Sequence, residues 1–175
     1  MKKILLAITF MTISCISFCF AQTPEQKLRD LNIELKTPRT PIANYVNLVK
    51  VGELVFLSGK GPELHDGTII QGKVGQELSK DEGKSAARIT AINLISVLKH
   101  ELGDLSRIDK FVKINGMVNA IDGFTEHPYV INGASDLIVE VFGDEVGKHS
   151  RVAIGVHSLP FNIPVEIDII LKIKK

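Results

Sequence analysis

The sequence predicts an α+β fold in which two helices cover one face of a mixed sheet, in the order β-β-β-α-β-α-β-β. Three observations carry this. Ser150–Val156 and Val165–Leu171 alternate as strands do, Ser79–Leu102 is a capped amphipathic helix, and a second helix opens at Pro128.

Taken in order, Met1-Lys2-Lys3 precedes an apolar run from Ile4 to Phe20, and Cys19-Phe20-Ala21 offers a small-x-small cleavage site. Residues 1–21 are expected to be a secretory signal peptide, which places the mature chain in the periplasm or outside the cell, with no membrane span. A lipid anchor at Cys15 is the alternative, and Thr12-Ile13-Ser14 is a poor approach to one. Both cysteines, Cys15 and Cys19, lie in that segment, so disulfide and thiol chemistry are not expected of the mature protein. Removing Lys2 and Lys3 leaves 19 basic against 20 acidic residues. Such a balance argues against nucleic acid as a partner.

Residues 22–40 are polar and read as an N-terminal arm, with Pro24 at the first turn of a short helix carrying Leu28 and Leu31. Residues 41–175 are read as one domain. Asn44–Val51 and Glu53–Ser58 form a hairpin around Gly52, Ser58-Gly59-Lys60-Gly61-Pro62 reads as a tight turn, and Asp66-Gly67 leads into a brief strand at Thr68–Ile70. Ser79 with Glu82 makes a capping box, Ala87, Ala91, Leu94, Leu98 and Leu102 form one stripe, and Gly103 ends the helix. Arg107–Val118 is a strand, with a bulge favoured over a turn at Asn115-Gly116. The Pro128 helix turns Val130, Ala134, Leu137, Ile138 and Val141 inward and ends at Gly143; Asn132 lies off the stripe as a candidate polar contact.

The last two strands hold the candidate chemistry. Arg151, Ala153 and Gly155 share one face, opposite Val152, Ile154 and Val156; Glu166 and Asp168 oppose Val165, Ile167, Ile169 and Leu171. The Arg151, Glu166 and Asp168 side is expected to meet water, another subunit or a ligand. Small residues beside an arginine leave room for a carboxylate held in bidentate fashion. A second copy of the sheet is the simplest cover, which predicts a closed homo-oligomer with clefts near Arg151. In a simple hairpin Val156 would pair with Val165, leaving Glu166 about 13 Å along the strand from Arg151. His65, His100, His127, His149 and His157 are scattered, and no Gly-x-Ser-x-Gly elbow occurs. Neither a metal site, a cofactor nor a Ser/His nucleophile is expected.

Asn44-Tyr45-Val46, Phe56-Leu57-Ser58-Gly59, Val130-Ile131-Asn132, Ser150-Arg151-Val152 and Leu159-Pro160 before Val165-Glu166-Ile167 together resemble the YjgF/RidA family of reactive-intermediate deaminases, also called the L-PSP endoribonuclease family. The arm beginning Pro24-Glu25-Gln26, with Asn132-Gly133-Ala134-Ser135, looks like a longer subgroup. The resemblance implies a chorismate-mutase-like fold, a homotrimer, and sites at subunit interfaces. It implies hydrolysis of 2-imino acids to 2-oxo acids and ammonia, with Arg151 gripping the substrate carboxylate and Glu166 positioning water. Tyr45, Ser58, Gly59, Asn132 and Ala153 correspond to lining positions. Lys60 stands where the family usually carries Gln, and Ala153 where many deaminases have Cys. The alternative is a non-catalytic trimer binding a carboxylate metabolite or a protein in the same cleft; an endoribonuclease is the less favoured third reading.

Overall fold

The computed structural model describes residues 22–41 and 43–175; the expected signal peptide lies outside the described residues. Among the described residues three α-helices, α1 (Pro24–Asp30), α2 (Lys80–Leu102) and α3 (His127–Gly147), accompany five strands: β1 (Leu48–Val51), β2 (Leu54–Lys60), β3 (Ile108–Asn119), β4 (Ser150–Val156) and β5 (Val165–Ile173). The strands form one mixed sheet in the order β1-β2-β5-β3-β4. Only β3 and β4 run parallel.

Local chemistry accounts for the element ends. Thr23 and Ser79 each accept from the backbone N–H of N3, while the Gln26 and Glu82 side chains return the bond to the caps. Gly103 closes α2 at φ 77°, and Gly52 turns the β1–β2 hairpin at φ 60°. Gly143, where the second helix was expected to end, breaks helical geometry at φ 75°, and one further turn follows it to Gly147. Between the layers, Ile114, Val118, Val165, Ile167, Ile169 and Leu171 pack beneath Ala87, Ala91, Leu94, Leu98, Leu137 and Ile138. That burial is the main source of stability. The arm adds to it: Leu28 is buried, and Glu25 accepts from Lys99 Nζ and the backbone N–H of Leu105, each at 2.9 Å.

Four local expectations are corrected. Thr68–Ile70 makes no strand but a single bridge, Ile69 to Glu63, because Asp66 Oδ1 accepts from Thr68 N and Gly67 reverses the chain too tightly for a ladder. The Ser58–Pro62 stretch is no tight turn, since β2 continues to Lys60 with an irregularity between Leu57 and Lys60. The β3 bulge falls near Phe111 and Lys113, leaving Asn115 and Gly116 in register. Gly116 is required by packing instead, because a Cβ there would lie 2.6 Å from the Ile131 side chain of α3.

The fourth concerns β4 and β5. They do not form a hairpin; β3 lies between them. Ile114 pairs with Arg151 on one side and Ile169 on the other, whereas Met117 pairs with Ile154 and Glu166. Residues 114 and 117 point to opposite faces, so Arg151, Ala153 and Gly155 face the helices while Glu166 and Asp168 face away. The Arg151 face is small because α3 begins against it: a Cβ on Gly155 would lie 2.3 Å from His127 Nε2. On its other face β4 leaves two large apolar side chains uncovered, Val152, 40% exposed, and Ile154, 48% exposed.

Candidate functional site

Arg151 is held from α3. Its Nη1 donates to Asn132 Oδ1 at 2.8 Å and to Ser135 Oγ at 3.0 Å, and Nη2 makes a long contact of 3.5 Å to Pro128 O. Asn132 and Ser135, three apart on the helix, present both acceptors to one nitrogen. Among the described residues Nε has no partner, which leaves the Nε/Nη2 edge available for a planar anion. Ala153, half-buried, is the next residue on that face of β4.

Behind the arginine runs a short chain of hydrogen bonds. His149 Nδ1 lies 2.6 Å from Gly147 O, which can only accept, so Nδ1 carries the proton and Nε2 accepts from the Ser135 hydroxyl at 3.0 Å. The hydroxyl then offers its lone pairs to Arg151. Burial lowers the His149 pKa, the bond to Gly147 opposes this, and the Arg151 and Lys110 charges lower it further. A neutral ring suits this arrangement. Sequence reading placed Asn132 here but missed His149, although strand alternation from Arg151 puts position 149 on the same face.

A second cluster lies across the sheet. Glu166 is half-buried on β5, and burial, then the charge of Asp168, pushes its carboxyl pKa up. Gly59 makes room for it: a Cβ there would come 2.2 Å from Glu166 Oε1. The two border a cleft of about 450 Å³ whose walls include Tyr45, Lys60 and Phe161. Ser58 spends its hydroxyl on Val46 O at 2.6 Å, fixing the Tyr45 loop from behind. Phe161 is 69% exposed and sits at φ 57°, a conformation that a bulky residue adopts only under constraint. Its neighbours supply that constraint, for Gln71 Nε2 donates to Phe161 O at 2.7 Å and Gly72 N to Asn162 O at 2.8 Å. No feature of the sequence flags Phe161, because its strain depends on the fold.

The expected residues thus divide into Arg151, Asn132 and Ala153 on one side, and Tyr45, Ser58, Gly59 and Glu166 on the other. Arg151 and Glu166 are offset by two strand spacings, about 9.6 Å, and three residues along, about 10 Å, so their Cα atoms are about 14 Å apart with side chains on opposite faces. Within one copy they do not share a ligand. Among the described residues there is no group of three or more metal-ligating side chains and no helix long and apolar enough to cross a membrane.

A family model described as "YjgF/chorismate_mutase-like, putative endoribonuclease" matches residues 25–170. The chain belongs to the YjgF family. As a YjgF chain it is 43% identical over 146 residues to Protein TCP17 of Trypanosoma cruzi, covering 83% of this chain and 91% of that one. Among solved structures, the protein Atu1372 of Agrobacterium tumefaciens, of unknown function, shares 40% identity at a TM-score of 0.80, with 86% of this chain and 92% of that chain covered. A Shewanella oneidensis protein under the same endoribonuclease description superposes at a TM-score of 0.83 with 33% identity, covering 87% and 100%. These likenesses agree with the α+β architecture built up above from the strands and helices.

Proposed function

We propose that this protein is an exported deaminase that hydrolyses small 2-imino acids, at sites each completed by two neighbouring copies in a ring of three. The observation that carries the reading is the division of the site into two halves: an arginine with a free planar edge, and a half-buried carboxyl in a cleft, 14 Å or so apart and on opposite faces. One copy cannot bring them to the same small molecule. A heterologous contact that closes on itself sets the Arg151 half of one copy against the Glu166 half of the next. The uncovered sheet face supports such a contact, because Val49, Val51, Leu54, Phe56, Val152 and Ile154 are all exposed on it.

In this reading the Nε/Nη2 edge of Arg151 takes the substrate carboxylate, and Asn132 and Ser135 keep the guanidinium in place. Glu166 holds water against the imine carbon; its raised pKa brings proton transfer nearer to neutral pH. Water adds across C=N, the C–N bond then breaks, and R–C(=NH)–COO⁻ plus H₂O gives R–CO–COO⁻ plus NH₃. Imine hydrolysis is intrinsically easy, so orienting two reactants suffices. The near-neutral charge offers little electrostatic attraction for RNA, which ranks ribonuclease activity below this reading. The test is to generate 2-iminopropanoate with an amino-acid oxidase and follow its decay. Wild type should accelerate decay and Arg151→Ala should not; equal decay with both overturns the proposal.

A further inference from the structure

The cleft beside Glu166 contains a cation that the imine chemistry does not use. Lys60 follows Gly59 on β2, and its half-buried ammonium donates to Asn47 Oδ1 at 2.6 Å. Asn47 is itself buried, and its Nδ2 donates to Arg39 O at 3.3 Å, which turns the amide oxygen toward Lys60. The nearby carboxylate is already taken: Glu63 Oε1 accepts from Lys36 Nζ at 2.8 Å and Arg39 Nε at 3.2 Å. Among the described residues no carboxylate comes within ion-pair distance of Lys60. Burial lowers its pKa, opposed by the more distant charge of Glu63, as befits an ammonium that has lost water without gaining a counter-ion.

The position of this charge makes it relevant to a ligand. Lys60, Arg39, Gly61 and Glu63 line the Glu166 cleft and also a smaller recess of about 90 Å³ that runs toward Lys36, Asn93 and Ser96. Three cations and one carboxylate surround that recess, so its field favours an anion. Lys60 pairs with Ile167 and so leaves β2 on the helix side, but Lys60 and Glu166 both line the cleft where β2 ends, so a substrate whose reacting carbon lies at Glu166 would send its tail round that end of β2 toward Lys60.

We propose that Lys60, assisted by Arg39, is an anion subsite that selects substrates carrying a second acidic group, so that the preferred substrates are 2-imino dicarboxylic acids. This rests on the reading of the Arg151/Glu166 site given above and names its substrate class. The first carboxylate binds Arg151 of one copy and the second binds Lys60 of its neighbour. A charge-assisted hydrogen bond of this kind changes affinity by roughly tenfold or more.

Calorimetric titration of the assembled protein with two five-carbon product analogues, 2-oxoglutarate and 2-oxopentanoate, at constant ionic strength tests it. Wild type should bind 2-oxoglutarate about tenfold more tightly, and the ratio should fall to about one in Lys60→Gln and in Lys60→Met. Two substitutions of different polarity guard against a folding defect in either. A wild type that binds 2-oxopentanoate through Arg151 and shows no preference overturns the subsite alone, as does a preference that survives both substitutions. A wild type that binds neither acid overturns the subsite together with the reading on which it rests.

Discussion

Gly59→Ala moves the Glu166 carboxyl without touching it in sequence. A methyl at position 59 would lie 2.2 Å from Glu166 Oε1, 3.0 Å from Cδ and 3.1 Å from Cγ. Ordinary contact begins near 3.4 Å, so the carboxyl must retreat by about 1 Å. Gly59 has no left-handed φ, so alanine meets no backbone strain there, and the displaced group is the free end of a half-buried side chain. Stability should therefore change by less than about 1 kcal/mol. Activity should not be spared: a misplacement of about 1 Å costs roughly 10²-fold, or about 2.7 kcal/mol on the barrier. Imine decay and urea unfolding of Gly59→Ala, Glu166→Gln and the double variant would be compared. If all the loss passes through Glu166, the double variant is no slower than Glu166→Gln alone. A folded Gly59→Ala enzyme that keeps more than half of wild-type activity refutes the reasoning, because the carboxyl would then have no required position.

Gly133→Ala probes the helix layer: its Cβ would lie 2.0 Å from Lys84 O and 3.1 Å from Arg88 N, both backbone atoms of α2, so a loss of about 3 kcal/mol and a urea midpoint lower by about 1.5 M are expected. Gly83→Ala, which meets only the Val74 and Val130 side chains, should stay within about 1 kcal/mol, and equal midpoints would contradict the helix contact. His149 has a folded pKa below its ordinary 6.5, so its contribution is intact above that value and is lost as pH falls through it and then through the lowered folded value. Stability measured from pH 7 to 5 should fall, and His149→Gln should flatten the fall; an unchanged slope would remove His149 from the network behind Arg151. Ile154→Glu puts a charge on the exposed sheet face and should shift light scattering from trimer toward monomer while leaving the circular dichroism spectrum native.

Periodicity made the layers legible. The Pro24 start of α1, the cap at Ser79, the Leu94/Leu98/Leu102 stripe and the Val165–Leu171 alternation each follow from chemistry within a few residues, and all are found as expected. The same alternation separated the two faces of β4 correctly but could not say which one the helices cover. That depends on strand order, and with β3 inserted between β4 and β5 the arginine turned inward and the glutamate outward. Gly155 looked like room for a ligand, yet the space beside it is taken by His127 at the start of α3. Long-range polar partners were equally hidden: Lys36 reaches Glu63 from the arm and Lys60 reaches Asn47, just before β1, contacts that no local pattern encodes.

The central claim is that each site is completed by two copies, and subunit mixing tests it most directly. Arg151→Ala and Glu166→Ala, each inactive alone, would be unfolded together in equal amounts, refolded and assayed for 2-iminopropanoate decay. In a ring of three, random assembly makes about three quarters of the rings mixed, and each mixed ring has one interface at which an intact Arg151 meets an intact Glu166, so activity should return to about one quarter of wild type. Recovery to that level is the predicted result. A mixture that refolds into trimers and stays inactive would contradict the account, because the two halves would then not meet across the interface.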